Sequence, residues 1–209
     1  MIRDVELKPH VARLQFQEEA HLYSVGGEGI LPSITEILKA EGITSYQEGN
    51  DWAMTRGQYI HRAVELFEEG TLDEESLSGG LRNYLDSYRL WREAVNFVPQ
   101  VVEVPLWHPL HKYGGTPDLI GLLNGKPHIV ELKSGARRAG DRIQVGGQAE
   151  LARACIVGAD REWYTGTVLY LRANGNPPGI EPISAEAMLY EMSMFKNVLA
   201  VNRWKAVNG

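Results

Sequence analysis

Residues 115–135 read GTPDLIGLLNGKPHIVELKSG and hold two short apolar runs on either side of Asn124-Gly125. An Asn-Gly pair between apolar runs is a strong signal for a tight β-hairpin. Pairing the strands about this turn brings Asp118 nearly opposite Glu131. Because side chains alternate along a strand, Glu131 and Lys133 share one face while Leu132 points into the core. The segment predicts a hairpin with two acids and one amine at one end.

Such a hairpin end favours metal chemistry. Charged groups at the end of a buried hairpin are costly unless they are paired or used. A divalent cation would relieve the repulsion between Asp118 and Glu131, and oxygen ligands suit Mg²⁺ or Mn²⁺ better than zinc. Lys133 would orient or help to deprotonate a water and stabilise the transition state. The competing interpretation is a surface hairpin whose charged ends form a simple ion pair.

Helices are predicted on both sides of this sheet. The alternation in residues 11–25 indicates a hairpin, and Ser33 with Glu36 has the spacing of a capping box at a helix start. Further helices are predicted at 51–69, 74–95, 141–157 and 185–205, and further strands at 101–108, 164–171 and 180–183. The pattern predicts an α/β fold in one domain, 1–209, with the parts 1–45, 51–95, 100–171 and 180–209.

Composition narrows the class of protein without giving its function. The chain has 209 residues, a net charge of −6 and a single cysteine, Cys155. One cysteine excludes an intrachain disulfide and any multi-cysteine zinc or iron–sulfur site. No apolar run reaches the roughly 20 residues of a membrane helix, and the polar N-terminus lacks a signal peptide, so we expect a cytoplasmic protein.

Three motifs together resemble a known superfamily. Pro117-Asp118 followed by Glu131-Leu132-Lys133 resembles the signature of the PD-(D/E)XK nucleases. The spacing Gly57-x-x-x-His61-x-x-x-Glu65 resembles the first motif of RecB-type exonuclease domains, and its i, i+4 pair lies on one helical face. Gln144 falls where those domains carry Q-x-x-x-Y, although Gln148 replaces the usual tyrosine. The stretches LPSITEIL and RG-x-x-x-HRAVELFEEG-x-LDEE are similar to phage-encoded members.

The resemblance implies a restriction-endonuclease-like core, a mixed central sheet flanked by helices, and a Mg²⁺- or Mn²⁺-dependent DNA exonuclease of phage-type recombination, replication or repair. Its metal ligands would be Asp118, Glu131, the carbonyl of Leu132, Glu65 and His61. Lys133 and Gln144 would complete the catalytic set. DNA is the expected partner, and a recombinase or single-strand annealing protein is a further one by analogy.

Several residues near these motifs are candidate DNA contacts. The residues that follow the catalytic lysine are expected to touch the DNA backbone, unless they form only a solvated loop: Ser134, Arg137, Arg138, Arg142 and Gln148. Glu103, on the first predicted strand, either faces the same pocket or is a solvated strand residue. Trp52, Tyr59, Tyr84, Tyr88 and Trp91 could stack on single-stranded DNA, but their helical spacing favours the core for most of them.

Alternative functions stay open at this point. His61 and Glu65 could be a partly buried histidine satisfied by a carboxylate, and Gln144 could simply cover a helix face. A structure-specific endonuclease, or an inactive nuclease-fold subunit that binds DNA or assembles with partners, would have the same fold. The residues do not predict cleavage polarity, strand preference or oligomeric state.

Overall fold

The computed structural model describes residues 5–44, 51–159, 162 and 164–209. In these ranges the helices are α1 (Ile34–Ala40), α2 (Asp51–Glu69), α3 (Gly79–Val95), α4 (Gly140–Cys155) and α5 (Ala185–Asn208). The strands are β1 (Leu14–Gln17), β2 (Leu22–Val25), β3 (Gly29–Leu31), β4 (Phe97–Val102), β5 (Leu106–Trp107), β6 (Gly114–Gly115), β7 (Leu119–Leu123), β8 (Lys126–Lys133), β9 (Thr165–Tyr170) and β10 (Gly179–Ile183). None of the described helices has the length and apolar character that a membrane crossing requires.

The central sheet has five strands in the order β10-β9-β8-β7-β4. The β8 and β9 strands are parallel, and the other neighbours in this sheet are antiparallel. Strands β1 to β3 form a separate sheet, and β5 pairs with β6. This mixed sheet with flanking helices confirms the predicted α/β fold class.

Alternate residues of the sheet strands enter two different cores. Ile129 of β8 lies with side chains of α1, α4 and α5 in one buried cluster. Val130 and Leu132 lie with side chains of α2 and α3 in another. The sheet is therefore covered by α1, α4 and α5 on one face and by α2 and α3 on the other. Because Glu131 and Lys133 have the parity of Ile129, their side chains project toward α4.

The hairpin prediction is confirmed residue by residue. Leu119 pairs with Val130 and Leu123 with Lys126, so Asp118 comes opposite Glu131, one position beyond the first of these pairs. Asn124 and Gly125 both have positive φ, 53° and 77°, as a two-residue type I′ turn requires. The turn sets the register, and the register brings the acidic residues together.

Two local predictions at helix and strand ends need correction. The helix predicted at 74–95 is a 3-10 turn, Glu74–Ser76, followed by α3, because Ser78 caps the helix that starts at Gly79. The N-terminal hairpin gains a third strand, β3, which pairs with β2. Beside it, the capping box is present: Glu36 N donates to Ser33 Oγ at 3.1 Å, and Ser33 N donates to Glu36 Oε2 at 2.7 Å. Residues 1–4 and Ser45, within the predicted 1–45 part, lie outside the described residues.

The predicted strand at 101–108 is wrong, because the chain turns in its middle. Strand β4 ends at Val102, and β5 at Leu106–Trp107 belongs to a different pair of strands. Between them Glu103 has a φ of 47°, which residues with a side chain rarely adopt. Pro105 lacks the N–H group that would continue a ladder. This turn directs Glu103 to the same edge of the sheet as Asp118.

Candidate metal centre

The end of the β7–β8 hairpin is closed by a contact from side chain to backbone. Leu132 N donates a hydrogen bond to Asp118 Oδ2 at 2.5 Å, and Asp118 is 4% exposed. The Leu132 side chain lies in the core beneath α2 and α3. Since the N–H and C=O of one strand residue point toward the same edge, the Leu132 carbonyl faces the Asp118 side. The backbone thus fixes the Asp118 carboxylate at this end of the hairpin.

Three side chains from separate elements meet at this point. His61 Nδ1, on α2, lies 2.9 Å from Glu103 Oε1 and 3.3 Å from Asp118 Oδ1. One ligand atom from each of these three residues lies within 4.8 Å of the other two, a spacing that could hold a metal ion. Two carboxylates and an imidazole are donors that Mn²⁺ accepts well, and Mg²⁺ accepts the carboxylates. The donor set therefore fits a divalent cation of this class.

Glu103 is the group member that the sequence left undecided. Its N–H donates to the Asp118 carbonyl at 3.1 Å, which fixes the turn after β4. Burial raises the pKa of the Glu103 carboxyl to about 7, and the charge of Asp118 adds to the rise. The available signal was Pro105 two residues later, which indicates that the strand ends before it. The residues around Glu103 are compatible both with an exposed strand position and with a turn position that faces the site. The sequence pattern therefore did not decide between these two positions.

Glu131 lies in a second group, in which both of its carboxylate oxygens accept hydrogen bonds. It is 1% exposed, and its Oε1 accepts from Lys133 Nζ at 2.5 Å and from Gln144 Nε2 at 2.7 Å. Its Oε2 accepts from Gln148 Nε2 at 2.5 Å, and Lys133 Nζ also donates to Gln144 Oε1 at 2.9 Å. Gln144 and Gln148 are four residues apart on α4 and so share one face. Helix α4 therefore holds the acid and the amine of β8 in place.

The electrostatics of the two groups are linked. Burial raises the pKa of Glu131 to about 7, with Asp118 adding to the rise and Lys133 opposing it. Burial lowers the pKa of Lys133, but Glu131 and Asp118 outweigh it, and the pKa ends above its usual value. Burial also lowers the pKa of His61, and Asp118 with Glu103 reverses this, so its pKa lies well above normal. The metal-free site therefore retains protons that an unfolded chain would release.

Two other predicted site residues lie beside the group of three. Glu65, one turn after His61 on α2, pairs with Arg62 at 2.6 Å and is not a member of that group. The Ser134 carbonyl accepts from Arg56 Nη2 at 3.4 Å. A Cβ placed at Gly57 would lie 4.0 Å from Ser134 Oγ, so the motif glycine lies where α2 approaches the end of β8.

The arginines predicted to grip DNA take part in an ion-pair network. Arg137 pairs with the buried carboxylate of Glu181. Arg142 Nε lies 2.7 Å from Glu191 Oε1, and its Nη1 lies 3.6 Å from Glu181. The backbone N–H of Arg138 donates to Asp141 Oδ2 at 2.8 Å. The Arg137 side chain is 69% exposed and that of Arg142 is 30% exposed, so Arg137 is the more accessible of these two.

The aromatic residues separate into two sets. Tyr84, Tyr88 and Trp91 are buried in the core between α3 and the sheet, as their spacing predicts. Trp52 and Tyr59 are 70% and 57% exposed. The expectation that most of the five lie in the core is therefore confirmed, and the two exposed ones are both on α2.

Comparison with known proteins gives a likeness of fold only. Neither a protein-family model nor a curated protein sequence matches the chain. The crystal structure of LHK-Exo in complex with dAMP is 14% identical with a TM-score of 0.38, covering 84% of this chain and 89% of that one. The crystal structure of SSO0001 is 14% identical with a TM-score of 0.30, covering 79% and 84%. Similarity at this level concerns the course of the backbone and assigns no residue a role.

Proposed function

We propose that this protein is a divalent-metal-dependent deoxyribonuclease with a site of the PD-(D/E)XK type. The observation that carries the proposal is the convergence of His61, Glu103 and Asp118 beside the buried Glu131–Lys133 pair. A bound Mg²⁺ or Mn²⁺ would supply Lewis acidity and an activated water for phosphodiester hydrolysis. Asp118, Glu103 and His61 would hold it, with Glu131, the Leu132 carbonyl and Glu65 as further or water-mediated contacts.

The residues of the second group have supporting roles in this proposal. Lys133 would place a positive charge and hydrogen-bond donors next to the reacting phosphate. Gln144 would fix the orientations of Glu131 and Lys133, both of which it contacts, and Gln148 would fix that of Glu131. This assigns Gln148, which is 2% exposed, to the support of the acid rather than to DNA. Gln148, which replaces the usual tyrosine, would then supply a different hydrogen-bond donor to Glu131.

DNA is the proposed substrate, and exonucleolytic cleavage in phage-type recombination, replication or repair follows from the motif resemblance alone. Ser134 and the arginines after β8 would contact the phosphates, with Arg137 the most accessible of the paired ones. A structure-specific endonuclease and an inactive DNA-binding or assembly subunit are the alternatives. A recombinase or annealing protein would be a partner, and a cytoplasmic location would suit that role.

A cleavage assay separates these possibilities. Linear and covalently closed circular DNA are incubated with Mn²⁺ or Mg²⁺ and with wild-type protein, Lys133→Ala or Lys126→Ala. Lys126 is the matched control, because it is an exposed lysine at the other end of β8. An exonuclease degrades only the linear DNA, loses about a hundredfold or more in rate with Lys133→Ala, and is unchanged by Lys126→Ala. Cleavage of circles indicates an endonuclease, and no cleavage by wild type contradicts the enzymatic proposal.

A further inference from the structure

Helix α2 exposes two aromatic rings that the core does not use. Trp52 and Tyr59 are 70% and 57% exposed. Seven residues complete almost two helical turns, so the rings lie on one side of α2, about 10.5 Å apart along its axis. Arg56 lies between them, four residues after Trp52 and three before Tyr59. The result is a Trp52–Arg56–Tyr59 face, in which the half-buried Arg56 lies between the two exposed aromatic residues along the helix.

This face adjoins the end of the strand that carries Lys133. Arg56 Nη2 donates to the Ser134 carbonyl at 3.4 Å, and Ser134 follows Lys133 directly. The Arg56 guanidinium also lies 5.6 Å from the ring centre of Tyr84 on α3. Arg56 is therefore held between α3 and the loop that leaves the candidate site. The link between the Trp52–Arg56–Tyr59 face and the end of β8 is therefore the contact of Arg56 with Ser134.

The charge of the same region suits a polyanion. The described contacts of Arg56 are the Ser134 carbonyl and the Tyr84 ring, neither of which carries a negative charge. Arg172 is exposed just after β9. Leu171 beside it donates its N–H to the Lys133 carbonyl at 2.7 Å. Two cations thus lie at the carboxyl ends of the parallel strands β8 and β9, where α/β sheets commonly bind ligands.

Single-stranded DNA matches this combination better than duplex DNA. Bases within a duplex are already stacked on each other, whereas unpaired bases can stack on exposed aromatic rings. Arginines among those rings draw the phosphates without reading sequence. We propose that the Trp52–Arg56–Tyr59 face binds single-stranded DNA by stacking on unpaired bases, beside the end of the strand that carries Lys133. This rests on the proposed nuclease function for its biological meaning, but the binding itself does not require cleavage.

The test measures binding in EDTA, where no cleavage occurs, by fluorescence anisotropy. The probes are a labelled 20-residue oligothymidylate, an abasic strand of the same length and a blunt 20-base-pair duplex. The variants are Trp52→Ala, Tyr59→Ala and Trp52→Phe. Trp204→Ala is the matched control, because Trp204 is 65% exposed on α5. Thermal unfolding checks that each variant is folded, as expected for exposed side chains.

We expect Trp52→Ala and Tyr59→Ala each to weaken oligothymidylate binding about fivefold or more, while Trp52→Phe retains most of it and Trp204→Ala changes nothing. Binding to the duplex and to the abasic strand should be almost unaffected by these variants, because neither offers unpaired bases. Unchanged oligothymidylate binding in both alanine variants, or an equal loss on all three probes, would overturn the proposal. If the protein cleaves no DNA but its variants lose oligothymidylate binding selectively, the nuclease function is contradicted and the single-strand binding surface is supported.

Discussion

Two groups of polar residues meet at the end of the β7–β8 hairpin, and they differ in how their charges are balanced. In the closed group, Glu131 receives hydrogen bonds from Lys133, Gln144 and Gln148. In the open group, His61 is shared between Glu103 and Asp118, which both need a positive charge. The closed group contains the ammonium of Lys133, whereas the positive charge of the open group is a proton on His61, whose pKa is raised by Asp118 and Glu103.

This difference indicates that the two groups have different functions. A buried acid with three donors is stable without a metal and holds its neighbours rigidly. Two ionised carboxylates that share one histidine repel each other unless a proton or a cation lies between them. The closed group is therefore suited to orienting catalytic atoms, and the open group to taking up a divalent ion.

The largest effect is expected from removing a carboxylate of the open group. Asp118→Asn should lower the rate of DNA cleavage in Mn²⁺ by about a thousandfold or more, because the cation loses its central anionic ligand. The rate constant is measured with linear DNA at saturating Mn²⁺. Asp86→Asn, on the surface of α3, is the control and should cleave like wild type. Near-normal cleavage by Asp118→Asn would show that the open group is not the metal centre.

The sequence predicts some residues of this site and leaves others undecided. Asp118, Glu131 and Lys133 could be placed because Asn124-Gly125 fixes a hairpin register, and register is a local property of the chain. His61 and the α4 glutamines could be related to them only through a motif resemblance, since no local rule says how α2 and α4 dock on the sheet. Glu103 could not be settled, because its direction depends on a positive φ.

Other features depend on tertiary packing in the same way. Nothing in the spacing of Trp52 and Tyr59 separates them from the buried aromatics of α3, since packing alone decides which helix face is covered. Likewise, the ion pairs of Arg137 and Arg142 with Glu181 and Glu191 join residues that are far apart in the sequence. Their partners could not be predicted from charge clustering near Lys133.

The closed group should respond mainly through stability. Lys133→Met removes the cation and leaves Glu131 buried, which we expect to lower the free energy of unfolding by about 3 kcal/mol at pH 8. Urea denaturation in EDTA measures the free energy of unfolding. Lys126→Met, the same substitution at an exposed lysine of β8, is the control. The loss should shrink toward pH 5, since a protonated Glu131 no longer needs the charge. A loss of the same size at both pH values would contradict the assignment of the effect to this pair.

The stability of both groups together should depend on metal and on pH. The carboxyls of Glu103 and Glu131 have a pKa of about 7 in the folded protein, above the ordinary value near 4.5. The metal-free fold therefore holds more protons than the unfolded chain, and its stability should fall as pH rises through about 4.5 to 7. Bound Mn²⁺ replaces those protons, so its stabilisation should grow over the same window, to about 2.7 kcal/mol at a hundredfold excess over Kd. Differential scanning fluorimetry at pH 5.5 and 8, with and without Mn²⁺, measures both trends. A Mn²⁺ shift that is larger at pH 5.5 would contradict the account.

The smallest effect is expected from Glu103→Gln, which should raise the stability of the metal-free protein but lower its affinity for Mn²⁺. Glu103→Gln removes an acid whose ionised form is disfavoured by burial, while the amide oxygen can still accept from His61. We expect it to stabilise the metal-free protein at pH 8 by about 1 kcal/mol and to weaken Mn²⁺ binding. Urea unfolding in EDTA and isothermal titration with Mn²⁺ give the two readings. A variant that is less stable and binds Mn²⁺ as well as wild type would place Glu103 outside the metal centre.

Anomalous scattering from a crystal soaked in Mn²⁺ would locate the metal ion directly. We expect a peak at coordination distance, about 2.0–2.4 Å, from carboxylate oxygens of Asp118 and Glu103, with the His61 ring beside it. A peak at some other place, or none in a crystal that takes up Mn²⁺ at other surfaces, would contradict the assignment of this group as the metal centre.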